Sequence, residues 1–130
     1  MSKQLKAAVV SFALVLVPAL YAHADCRNRT ELIATDDGAA IDASGHAEAR
    51  QQESRERFKV EMEADVANGT VFYAFADGQF AGTLTISSRA AELELDSEKG
   101  TLPDELRPVC NLSLVEVIDA NGVLILFGNL

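Results

Sequence analysis

The stretch Phe58-Lys59-Val60-Glu61-Met62-Glu63-Ala64-Asp65-Val66 alternates apolar and polar residues without a break. Successive side chains of an extended chain point to opposite faces. This period of two therefore predicts a β-strand with one buried and one solvated face. Downstream, Asn68-Gly69 precedes Thr70–Ala76, rich in aromatic and β-branched residues, and Asp77-Gly78 separates that run from Gln79–Ser87. Both dipeptides tolerate positive φ and predict hairpin turns. A third turn at Ser87–Ala90 leads into Ala91–Asp96, with Ala91, Leu93 and Leu95 expected to face inward and Glu92, Glu94 and Asp96 outward.

Ser97–Pro108 reads as a polar loop, with one helical turn at Pro103-Asp-Glu-Leu106. Asn111–Ile118 predicts a strand, Asp119-Ala-Asn-Gly122 a turn, and Val123–Leu130 a strongly apolar closing strand whose Val123-Leu-Ile-Leu-Phe127 is apolar on both faces. Such a strand is either central in its sheet or an apolar edge open to strand addition. Before residue 55, Leu32–Thr35 predicts a short strand closed by Asp36-Asp37-Gly38, and Ala43–Arg50 another. Gln51–Arg57 is fully polar. A loop is the preferred reading there, with a helix running on from His46 as the alternative. The total is seven or eight short strands, an all-β fold: an antiparallel β-sandwich or small barrel.

The first 24 residues have another pattern. Lys3 and Lys6 precede a mostly apolar run from Ala7 to Leu20, and Ala22-His23-Ala24 places small residues where a signal peptidase reads. The expectation is a signal peptide over 1–24 and a single β-sandwich domain over 25–130, exported to the periplasm or secreted. The apolar run is too short for a membrane span. Asp25, directly before Cys26, disfavours a lipid-attachment box.

Removing the leader leaves 9 Lys and Arg against 20 Asp and Glu, a net charge of −11. A surface so acidic repels phosphate backbones and anionic headgroups, which argues against nucleic acid and membrane surfaces and leaves basic partners, cations or simple solubility. Cys26 and Cys110 are the only cysteines. In an exported protein an even count predicts a disulfide, and their wide separation is unlike a redox Cys-x-x-Cys pair.

Catalytic signatures are missing. His46 is the only histidine after the leader, with no Gly-x-Ser-x-Gly elbow beside it, and it reads as a surface residue. The expectation is no catalytic residue, no cofactor and no transition-metal site. Asp36, Asp37, Asp119 and Asn121 are weak calcium candidates, because Asp, Asn and Gly are also what turns require. Glu61/Glu63 and Glu92/Glu94 are carboxylate pairs of the kind a glycoside hydrolase uses, although such pairs usually decorate a solvated strand face. Phe72, Tyr73 and Phe75 are expected to fill the core rather than stack on sugars. The sequons at Asn28, Asn68 and Asn111 are read as chance and turn chemistry.

Arg57-Phe-Lys-Val-Glu-Met-Glu63, Asp77-Gly78, Ala91-Glu-Leu-Glu-Leu-Asp96, Leu102-Pro103 and Val115-Glu-Val-Ile-Asp119 with Gly122 together resemble small exported bacterial β-domains of unassigned function. The resemblance spans about residues 43–130 and implies strands and turns but no chemistry. The functional expectation is a non-enzymatic envelope module that binds a protein partner or serves a structural role, in one version an acidic inhibitor of a basic partner. A calcium-stabilised module is the alternative, and a small carboxylate-dependent hydrolase ranks below it.

Overall fold

The computed structural model describes residues 25–130; the expected signal peptide, 1–24, lies outside them. Eight antiparallel strands follow one another: β1 (Cys26–Ala34), β2 (Ser44–Gln52), β3 (Arg55–Glu63), β4 (Val71–Ala76), β5 (Gln79–Thr85), β6 (Ala90–Asp96), β7 (Leu114–Ile118) and β8 (Leu124–Asn129). One five-residue helix, α1 (Asp36–Ala40), joins β1 to β2, and three short 3₁₀ turns lie between β6 and β7. The fold is the expected all-β, antiparallel one.

In space the strands run β5-β4-β7-β8-β1-β2-β3-β6. β1 is the hinge of this order. Its residues 26–32 pair with β2, while Ile33 and Ala34 pair with β8. The sheet thereby curls into a nearly closed barrel, with β5 and β6 as its two free edges. A tight turn joins those edges, with Ser88 and Arg89 at φ 52° and 70° and Ser87 bridged to Ala90. Along the seam, Gly82 of β5 lies against the Leu93 side chain of β6, where an added Cβ would stand 2.7 Å from Cδ1.

The core comes from the inward positions of every strand. Phe58, Val60 and Met62 of β3 are buried as the alternation predicts, with Phe72, Leu84, Val115, Val117 and Leu126 around them. Where walls approach closely the inward residues are small: Ala47, Ala49, Ala74 and Ala76 have no exposed surface.

Several local expectations are corrected. β1 begins at Cys26, six residues before the expected strand, because the polar residues Arg27, Arg29 and Glu31 form its outer face. Asp36-Asp37-Gly38 opens a helical turn, capped by Thr35 Oγ1, which accepts the Gly38 N–H at 3.1 Å. The helical alternative over His46–Arg57 gives way to a tight β2–β3 hairpin. Asn68-Gly69 does not make a hairpin either: β3 is flanked by β2 and β6, so the chain crosses here to start the other half of the barrel. Asp77-Gly78 does make the expected β4–β5 hairpin, both residues having positive φ. Strand β7 starts only at Leu114, after a 3₁₀ turn at Val109–Asn111. The apolar closing strand is central, between β7 and β1.

Two candidate binding faces

Registered pairing sorts the outward side chains into cross-strand rows. Over most of β1, β2, β3 and β6 they are charged. One row reads Glu31–His46–Glu61–Glu92, the next Arg29–Glu48–Lys59–Glu94, and the third Arg27–Arg50–Arg57–Asp96. In a period-2 element all odd residues of β3 share this face, which is why Arg55, Arg57, Lys59, Glu61 and Glu63 stand in one file.

A 510 Å³ depression lies at the first row, lined by Glu31, Glu61, Glu63, Glu92 and His46, among others. Both sequence-named carboxylate pairs, Glu61/Glu63 and Glu92/Glu94, are on this face, and Glu61 sits directly opposite Glu92. His46 is not freely solvated: its side chain is 18% exposed and Nε2 lies 3.3 Å from Glu61 Oε2. Glu61 also receives Lys59 Nζ at 3.1 Å. The hydrogen bond from Lys59 holds the Glu61 carboxyl below its ordinary range and raises Lys59 in return. Among the described residues no group of three or more His, Cys, Asp or Glu side chains has a geometry that could hold a metal ion.

At the opposite end of this face Asp96 is wholly buried, although alternation placed it in solvent. Arg55 closes over it, with Nη2 at 2.6 Å from Oδ2 and Nε at 3.2 Å from both oxygens. The Glu98 N–H donates to Oδ1 at 2.9 Å. Chiefly through the Arg55 hydrogen bonds, the carboxyl titrates at about 2 instead of 3.8. Nearby, the buried Glu56 accepts Arg107 Nε at 2.7 Å and the Val109 N–H at 2.8 Å. These two carboxylates tie the polar 97–111 loop to the barrel end. The disulfide Cys26–Cys110, with a Cα–Cα distance of 5.9 Å, ties the same loop to β1.

The other half of the barrel has a different surface. One registered row reads Phe80–Phe75–Glu116–Phe127–Ile33 across β5, β4, β7, β8 and β1. A second reads Thr83–Tyr73–Ile118–Leu124. Ile33 is 58% exposed and Phe80 53% exposed. Phe80 packs edge-on to Phe75, centroids 5.6 Å apart, and lies 6.5 Å from Tyr73. Of the three aromatics expected in the core only Phe72 is there; Tyr73 and Phe75 point outward, because Ala74 and Ala76 occupy the inward positions. Strands β4, β5, β7 and β8 contain no Lys or Arg, and Glu116 is their one charged residue.

The calcium candidates are dispersed between two loops. Asp36 and Asp37 occupy the first turn of α1, where their charge complements the helix dipole. Asp119 Oδ1 accepts the Asn121 and Val123 N–H groups at 2.8 and 2.9 Å, the hydrogen bonds of an Asx turn. Likewise Asn68 Oδ1 accepts the Ser88 N–H at 2.9 Å.

Fold and surface together define a disulfide-linked antiparallel β-barrel with one charge-laddered face and one aromatic face. Comparison with protein-family models, curated proteins and solved structures finds no match to this chain.

Proposed function

We propose that this chain is an exported, non-enzymatic binding module that docks a basic protein partner through its aromatic face. The observation that carries the reading is the row Phe80–Phe75–Glu116–Phe127–Ile33: exposed Phe80 and Ile33 and half-buried Phe75 and Phe127 around a single carboxylate. Contiguous exposed apolar surface marks interaction sites, and aromatic residues dominate the energetics of such interfaces. Charge selects the occupant. Among the described residues Glu116 has no ion-pair partner, and strands β4, β5, β7 and β8 supply no cation. A partner surface with apolar side chains around a Lys or Arg satisfies both features. A second copy of this chain would set one Glu116 against another, and an acidic module is repelled by anionic lipid. The net charge of −11 over residues 25–130 steers a basic partner at long range. The disulfide and the leader-like residues 1–24 support export.

The test is capture from an envelope extract at low salt, followed by rebinding of the purified captured protein. The expected partner is basic and is released by salt. Phe80→Ala weakens its binding about thirtyfold, as for an aromatic anchor, and Glu116→Lys does so as well, whereas Glu94→Gln on the opposite face has no effect. A captured protein indifferent to Phe80 and Glu116, or self-association abolished by the same substitutions, overturns the proposal.

A further inference from the structure

The third charged row runs against the character of the rest of the molecule. In a chain dominated by acids, Arg27, Arg50 and Arg57 stand in register on β1, β2 and β3. Strands are about 4.8 Å apart, so three guanidinium-bearing positions fall within about 10 Å of one another. Like charges directly opposite are destabilising, and a sheet with no use for them would alternate sign, as the neighbouring row does.

The available acids do not resolve this. Asp96 completes the row opposite Arg57, but its oxygens are committed to Arg55 and the Glu98 N–H. Glu48 meets Arg27 Nε at 3.4 Å, and Arg27 remains 66% exposed. Among the described residues Arg50 donates only to the neutral Gln52 Oε1, at 3.1 Å. Arg57 makes no ion pair within 4.0 Å among the described residues; Glu48 and Glu94 share a small hollow with it without closing on it. Beside Arg27 and Arg50 lies an open 340 Å³ depression whose other walls include Asp25, Gln51 and Gln52. The Asp25 carboxylate there is turned to the Glu53 N–H at 2.9 Å.

We propose that the Arg27–Arg50–Arg57 row is a binding site for a single tetrahedral oxyanion, a phosphate or sulfate group carried as a monoester. Guanidinium forks match such oxygens in pairs, and two adjacent forks hold three of them. The net negative charge does not forbid this, because at physiological salt charges beyond about 8 Å are screened and the local row dominates. It does set the size of the ligand. Glu48, Glu94 and Glu98 flank the row, so one isolated oxyanion fits where a continuous polyanion is repelled. The site is on the charged face and is independent of the aromatic one.

The test is titration of the purified protein with inorganic phosphate, inorganic sulfate and a monoester of each, at fixed ionic strength made up with sodium chloride. The readout is the arginine Nε–H resonances in NMR spectra. The expected result is saturable movement of the Arg50 and Arg57 signals while Arg55 and Arg107, held by their own carboxylates, stay still. Arg50→Gln and Arg57→Gln each weaken binding at least tenfold. The two ester arms show which oxyanion is preferred. Without ligand, Arg57→Gln melts no lower than wild type, because a repulsive neighbour has been removed. Absence of saturation, wild-type affinity in either variant, or a lowered melting temperature for unliganded Arg57→Gln overturns the proposal.

Discussion

Asp96 has no exposed surface and still carries its charge. Its depressed pKa converts directly into a pH dependence. In the unfolded chain the carboxyl ionises near 3.8, in the folded protein near 2. The ionised form is the one the fold binds better, so the stabilisation is complete above the unfolded value and is lost as pH falls from about 3.8 to about 2. Comparison of urea unfolding for wild type and Asp96→Asn across pH should show the widest gap near neutrality and a closing gap in that window. A gap that persists below pH 2 would assign Asp96 a purely steric role. Glu56 makes a different point. It satisfies the buried Val109 N–H as well as Arg107, so Glu56→Ala leaves a donor without a partner. The expected loss is about 2–3 kcal/mol, moderated because Arg107 can turn to water. Glu56→Gln, which keeps an acceptor for Val109, should recover part of it in the same unfolding measurement.

At the scale of elements, the strands were legible wherever their own side chains alternate, as was the Asp77-Gly78 hairpin, but the order of strands around the barrel was not. Phe58–Val66 announces β3 and its buried face, but nothing within it says that β2 and β6 are the neighbours. Asn68-Gly69 therefore looked like a hairpin although the chain crosses to the other half of the barrel there. The aromatic face was hidden for a related reason. Alternation in Val71–Ala76 sets Phe72, Ala74 and Ala76 against Val71, Tyr73 and Phe75, and hydrophobicity alone favours sending the second set inward. The barrel decides otherwise: Ala74 and Ala76 are wholly buried on the inner face with Phe72. Alternation alone places Asp96 in solvent, because its cover comes from Arg55 and the following turn, outside its own strand. The placement of α1 shows the same dependence on distant chain. Thr35 Oγ1 donates to the Leu124 carbonyl at 2.7 Å, and a Cβ on Gly38 would overlap the Ile125 carbonyl. Gly38→Ala should therefore push α1 off β8 and lower stability by about 1–3 kcal/mol, as overpacking does. Hydrogen exchange should show the loss first at the Thr35 amide, which bonds to Ile125.

For the molecule as a whole, the main stabilising contacts and the proposed partner-docking face lie in different regions. The buried carboxylates, the 97–111 loop and the disulfide gather at one end of the charged half, while the aromatic rows lie on β4, β5, β7 and β8. Cys26 and Cys110 are 84 residues apart, so their bond closes a loop comprising most of the described chain. In the chain-entropy account, opening a loop of that length costs about 4–5 kcal/mol through the greater freedom of the unfolded state. Cys26→Ser/Cys110→Ser should therefore melt roughly 20 °C lower than the oxidised protein. The folded surface is expected to change much less than the stability. Glu56 holds Val109 from the barrel side, next to the severed cysteine, so the loop keeps an anchor when the bond is gone. The tyrosine and phenylalanine signals of the aromatic face in near-ultraviolet circular dichroism should stay as in wild type well below the new melting point. Their collapse together with the disulfide would mean that β1, which carries both Cys26 and the aromatic row's Ile33, transmits the lost constraint across the barrel to the proposed docking face.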